Sequence, residues 1–171
     1  IQLPYFGSNL AADATYTNQP NLVCVVMSAD CLPVLFTNKQ GTEVAAAHAG
    51  WRGLCDGILE ETVKYFRAPT QDIIAWLGPA IGPTAFQVER NVVEQFAAFD
   101  LSASTAFKPD PTQEGKYLGN LYQIAEQRLN KLGIREIFGG HHCTVNEKEL
   151  FFSYRREGKT GRMASVIWFK P

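Results

Sequence analysis

Short apolar runs separated by turn-forming clusters dominate the first third of the chain. Residues 22–27 (LVCVVM) and 32–36 (LPVLF) are followed, after the polar turn Asn38-Lys39-Gln40-Gly41, by residues 43–47. They predict consecutive strands, the second and third joined as a hairpin. The period then lengthens: Leu54, Ile58, Leu59, Thr62, Val63 and Phe66 share one helical face, which predicts a helix starting near Arg52 and ending before Pro69. Residues 73–77 read as a buried strand running into Gly78-Pro79-Ala80-Ile81-Gly82-Pro83, a loop too rich in Gly and Pro for regular structure and of the kind that lines pockets.

Further along, residues 86–88 predict a short strand and 91–99 a helix with Val92, Val93, Phe96 and Ala97 inward. The polar stretch 100–116, with Pro109 and Pro111, reads as a surface loop. A helix is predicted over 117–132, with Leu118, Leu121, Tyr122, Ala125, Leu129 and Leu132 on one face and Gly133 as its stop. A strand over 134–138, a loop over 139–144, and strands over 151–154 and 163–169 joined by the basic turn 155–162 complete the chain. Strands in adjacent hairpins interrupted by about three helices favour an α/β (α+β) class, a mixed β-sheet with flanking helices, over a doubly wound parallel sheet. The Ala-Asp-Ala segment around Asp13 carries no local signal.

A length of 171 residues with 46% hydrophobic and 19% charged residues fits one domain over 1–171 with a full-sized core. Sixteen basic and seventeen acidic side chains leave a net charge of −1, which argues against broad capture of nucleic acid or an anionic membrane and leaves a small neutral or mildly anionic ligand. With no spanning apolar run and no signal-peptide pattern, the expected location is cytoplasmic. There Cys24, Cys31, Cys55 and Cys143, which form no CxxC pair, are expected as thiols. Neither GxGxxG nor GxxxxGK[ST] occurs, so dinucleotide and P-loop readings lack support.

Cys31 and His48 each stand at the end of an apolar run, where both side chains can project into one crevice. A thiolate and a neutral imidazole suit Zn²⁺, whose catalytic sites take three protein ligands and keep a fourth position open. The same pair suits a nucleophile and its base, and a cysteine at a strand end also suits simple core packing. Arg52, in Gly50-Trp51-Arg52-Gly53 at a helix start, is a candidate clamp for phosphate or carboxylate, or an exposed first-turn residue. His141 and His142, adjacent on extended backbone, point opposite ways, so at most one reaches a site. The stretch Ser153-Tyr154-Arg155-Arg156 with Thr160-Gly161-Arg162 reads as a solvated hairpin in preference to an anion-binding turn.

The motifs ADATYTN, SADCLPVLF, EVAAAHAGWRGL, AWLGPAIGP followed by AFQV, GG-HHCT and FFSYRREGKTGRMAS, in this order, resemble the bacterial YfiH-type laccase-domain family over nearly the whole chain. That family is also described as multicopper polyphenol oxidase-like and as purine nucleoside phosphorylases. The resemblance implies a single YfiH-like domain and a zinc site of one cysteine and two histidines, with copper as the alternative ion. It implies phosphorolysis of adenosine, inosine or methylthioadenosine, and adenosine deamination. Cys31 matches the family cysteine and His48 the second family histidine, both then catalytic and metal-binding, with Arg52 on the substrate. The first family histidine is expected upstream of Ile1, in an N-terminal segment that contributes to the pocket. Cys143 matches a family cysteine of unassigned role. Alternatives are a Cys/His hydrolase, a polyphenol oxidase, or a non-catalytic zinc protein linked to cell-wall precursors.

Overall fold

The structure, a computed structural model, describes Gln2 and residues 11–171. Its main sheet joins β1 (Ala14–Thr17), β3 (Leu32–Asn38), β4 (Val44–Ala49), β5 (Ile73–Leu77) and β9 (Glu136–Gly139) in the order β1-β4-β3-β5-β9. β5 and β9 run parallel and the other pairs antiparallel, so the sheet is mixed, as expected. β2 (Cys24–Ser28) pairs not with β3 but with β10 (Met163–Ile167), in a separate two-stranded ribbon. Strict alternation along β2 explains its place: Cys24, Val26 and Ser28 are buried, whereas Val25 and Met27 face outward. A third small sheet is formed by β6 (Gln87–Glu89), β8 (Lys116–Gly119) and β7 (Phe107–Pro109).

The predicted β3–β4 hairpin is present, and Asn38 closes it by accepting from the backbone N–H groups of Thr42 and Glu43 at 2.8 and 3.2 Å. The helix expected from Arg52 to before Pro69 is instead two short ones, α1 (Trp51–Asp56) and α2 (Ile58–Val63). Gly57, at φ 94°, is the break, a conformation that costs glycine little and any other residue more. Arg128, almost fully buried, joins α2 to α4 (Leu121–Lys131) by donating to Glu60 at 2.8 Å and to the Cys55 carbonyl at 2.9 Å. α3 (Arg90–Phe99) buries Val92 and Phe96, with Val93 and Ala97 half-buried beside them, as the pattern predicts.

Three further expectations are corrected. The loop over 100–116 contains a 3₁₀ segment (Leu101–Ala106) and β7. The helix predicted over 117–132 begins only at Leu121, because Lys116–Gly119 is paired on both edges as β8. A Cβ at Gly119 would lie 2.8 Å from Phe107 and 2.9 Å from Phe86, so this position packs only as glycine, and Asn120 then caps α4 by accepting from the Gln123 N–H. Residues 151–162 form no hairpin: Tyr154–Glu157 is one helical turn, α5, capped by the buried Ser153 hydroxyl. No helix among the described residues is long and apolar enough to cross a membrane.

Glu43 is the main buried carboxylate of the core. It accepts from Tyr16 at 2.5 Å, Asn38 at 3.1 Å, and the backbone N–H groups of Arg67 and Ala68 at 2.8 and 3.0 Å. Burial works to raise its pKa, but these donors outweigh burial and hold it below the ordinary value. A depressed carboxylate adds stability that is present above the unfolded value and lost as pH falls below it. Glu43→Gln, which puts an amide donor against other donors, should destabilise the fold by about 2 kcal/mol at neutral pH. Below about pH 4.5, where the wild type gives up this contribution, it should lose less stability than the wild type, as measured by urea unfolding at each pH.

Candidate functional site

The ends of β2, β3 and β4 open onto a cleft of about 440 Å³. Cys31, at the β2–β3 turn, and His48, near the end of β4, line it together with Trp51 and Arg52 of α1. The three residues expected to carry chemistry therefore share one cavity. Gly50 makes their approach feasible: a Cβ there would lie 3.1 Å from Cys31 Sγ and 3.3 Å from His48 Cε1, so thiol and imidazole both abut the space over this glycine. Ile81, Phe86 and Leu121, all buried, give the cleft an apolar floor. Ile81 belongs to the Gly/Pro loop predicted to line a pocket.

Four further residues complete the site. Asp13, just before β1, places Oδ1 3.2 Å from His48 Nδ1, and its carbonyl accepts from the His48 N–H at 2.7 Å. Asp30 is buried in the cleft wall at φ 94°, a left-handed conformation unusual outside glycine. It accepts from the Thr144 hydroxyl and from the Arg155 backbone N–H, each at 2.6 Å. Arg155 and Arg162 reach the cleft as well, so the basic segment is part of the site and not a solvated hairpin. Contacts spanning more than a hundred residues, such as Asp30 with Thr144, leave no trace in local spacing.

His141, His142 and Cys143 do not line this cleft. His142 Nδ1 pairs with Glu147 at 2.9 Å, and its carbonyl accepts from the Tyr122 hydroxyl at 2.8 Å. Cys143 Sγ accepts from the Gly82 N–H at 3.3 Å. This cluster stitches the Gly/Pro loop to α4 and the 143–147 turn. Burial pushes the Tyr122 hydroxyl up to about 12, which keeps it a neutral donor in that role. Arg156 likewise serves structure, donating to the carbonyls of Thr144, Val145 and Phe151.

Burial, reinforced by Asp30, pushes the Cys31 thiol above its ordinary pKa, while Arg162 opposes the shift. A raised thiol is a poor nucleophile but still a good soft ligand, since a cation displaces its proton. Arg52 lies over the Trp51 ring at 4.3 Å, a stacking that holds its guanidinium at the rim.

The profile of a family described as multi-copper polyphenol oxidoreductase laccase matches residues 5–170. The chain belongs to this family. It is 72% identical over 170 residues to the purine nucleoside phosphorylase of Haemophilus influenzae, covering 99% of this chain and 70% of that protein. It is 61% identical over 158 residues to the purine nucleoside phosphorylase YfiH of Escherichia coli, covering 92% of this chain and 63% of that one. The chain thus spans about two thirds of the length of these curated relatives. Among solved structures, a Neisseria meningitidis protein superposes with a TM-score of 0.89 at 48% identity over 94% of this chain and 65% of that one. YlmD from Geobacillus stearothermophilus superposes at 0.82 with 30% identity, covering 94% and 62%.

The family description implies copper, and the donors test that. Among the described residues no group of three or more His, Cys, Asp or Glu is placed to hold a metal ion. The convergent thiol and imidazole fit two positions of a single zinc or copper site. The chain's three histidines, of which His48 alone lines the cleft, do not fit a multinuclear copper cluster. Gly50→Ala should leave the fold intact, since φ −59° suits alanine, but push the two donors apart. Zn²⁺ affinity by competition titration should fall about 10-fold or more, with the thermal midpoint near wild type.

Proposed function

We propose that this chain carries the metal rim and nucleoside cleft of a purine nucleoside phosphorylase, splitting adenosine, inosine or methylthioadenosine with inorganic phosphate. The supporting observation is the convergence of Cys31 and His48 on a rim that also bears Arg52, Arg155 and Arg162. Relatives bearing the phosphorylase name at 72% and 61% identity support the same reading. Zinc is the ion of this proposal, held by Cys31, His48 and a third ligand, the histidine expected upstream of Ile1, with copper as the alternative. Adenosine deamination at the same site is supported by the sequence resemblance. Four free cysteines accord with a cytoplasmic setting.

Bound zinc would supply Lewis acidity at the rim. The residues divide the remaining work. Phosphorolysis brings a phosphate anion against the ribose carbon as the glycosidic bond breaks, so the anion must be held in register. Guanidinium forks suit that task, and Arg52 and Arg162 stand on the rim with Cys31 and His48. The Arg155 guanidinium is partly committed, donating to the carbonyls of Ala85 and Gln87 at 3.3 and 3.1 Å, and one Arg162 nitrogen donates to the carbonyls of Thr160 and Gly161 at 3.1 and 2.9 Å. The apolar floor of Ile81, Phe86 and Leu121 can bury the faces of a purine. The hydrolase alternative is disfavoured by the raised Cys31 thiol, because a Cys/His nucleophile needs its pKa lowered.

The test is release of ribose 1-phosphate from inosine and adenosine by the full-length protein. Cys31→Ala and His48→Ala should each lower kcat/KM by more than about 100-fold, exceeding the usual effect of residues that only support a ligand. Arg162→Ala should raise the KM for phosphate more than that for nucleoside. Undiminished activity in both ligand variants would remove the metal-rim reading.

A further inference from the structure

We infer that Asp13 is a positioning residue for His48: its carboxylate fixes the imidazole tautomer with the proton on Nδ1 and presents Nε2 as a lone-pair donor to the cleft. The residue lies outside the segment in which Cys31 and His48 are found, and nothing in its local sequence marks it.

The geometry is specific. Asp13 grips His48 twice, through its carbonyl to the His48 N–H at 2.7 Å and through Oδ1 to Nδ1 at 3.2 Å. The backbone bond fixes the main chain of β4 relative to residue 13, and the β1–β4 register continues it, with Ala14 opposite Ala47. The carboxylate is therefore delivered to one ring nitrogen by the same strand pairing that places the histidine. An ionised carboxylate only accepts hydrogen bonds, so the Nδ1 it meets must carry the proton. Among the described residues no hydrogen bond reaches Nε2, and the ring lies on the cleft wall with Cε1, like Cys31 Sγ, abutting the space over Gly50.

A neutral imidazole left to itself exchanges between two tautomers, only one of which offers Nε2 as a donor. Fixing the tautomer removes that ambiguity and restricts ring rotation, the role that carboxylates perform behind metal-bound histidines. No step of bond making is assigned to Asp13. The inference about the ring stands on geometry in the metal-free protein, and only its consequence for metal affinity rests on the metal-rim reading.

The experiment therefore has two arms, both on the full chain. In the first, ¹⁵N-labelled metal-free protein is examined by NMR at about pH 8, above the ordinary imidazole value. His48 of the wild type should show a protonated Nδ1 and an unprotonated Nε2. Asp13→Ala, which keeps the backbone bond to His48, should show exchange-averaged or Nε2-protonated imidazole, and Asp13→Glu should recover part of the wild-type pattern. In the second arm Zn²⁺ alone is titrated by competition, and Asp13→Ala should bind about 10- to 100-fold more weakly. An unchanged tautomer in Asp13→Ala, or a wild-type His48 already protonated on Nε2, overturns the inference. A fixed wild-type tautomer lost in Asp13→Ala, with no Zn²⁺ binding by the wild type, sustains the positioning role and counts against the metal-rim reading. Thermal unfolding of each variant checks that the β1–β4 pairing survives.

Discussion

The cleft depends on one buried carboxylate, that of Asp30. Its oxygens accept from Thr144 and from the Arg155 N–H, and its carbonyl accepts from the Ile81 N–H at 2.9 Å. One residue thus ties the β2–β3 turn to the Gly/Pro loop, to the turn after Cys143, and to α5. Its left-handed backbone is held against an intrinsic cost of about 1–3 kcal/mol, which only a densely bonded surround can offset. Because Cys31 is the next residue, the same bonds set where its thiol points. Burial, reinforced by the negative charge of Asp30, holds that thiol above its ordinary pKa, and Arg162 opposes the shift.

From that constraint the division of labour in the site follows. The strands β3 and β4 are neighbours in register, with Leu32 opposite Ala49 and Pro33 opposite His48, so Cys31 and His48 meet at the same end of the sheet. Gly50 leaves the space between them free, α1 brings Arg52 alongside, and the segment after Ser153 delivers Arg155 and Arg162. A soft two-donor rim beside arginines and over an apolar floor is suited to a ligand with an anionic group and a flat ring system.

How much of this was legible in the sequence can be traced residue by residue. The apolar run 22–27, the turn at Asn38 to Gly41 and the 3.6-residue repeat of Leu121, Tyr122, Ala125 and Leu129 are local patterns, and a strand, a hairpin and a helix lie there, although the helix starts four residues later than its predicted 117. That Cys31, His48 and Arg52 would share one cleft was legible because strand ends and a helix start are also local features. The break at Gly57 was hidden, since two short helices can share one apolar face. The strand Lys116–Gly119 was hidden by the helix that follows it, because Leu118 falls in phase with the face of α4. Asp13 and Asp30 were not legible, and Arg155 and Arg162 only as an anion-binding turn ranked below a solvated hairpin. The contacts of Asp13, Asp30 and Arg155 span 35 to 125 positions, set by sheet order and loop packing.

Cys31 and His48 are proposed to form a single soft metal rim on a frame fixed by Asp30. X-ray absorption at the zinc edge of the zinc-loaded protein measures this directly. One sulfur neighbour at about 2.3 Å and nitrogen neighbours at about 2.0 Å are expected, with the sulfur contribution lost in Cys31→Ser. A shell of oxygen and nitrogen alone in the wild type, or a sulfur contribution unchanged in Cys31→Ser, would contradict it.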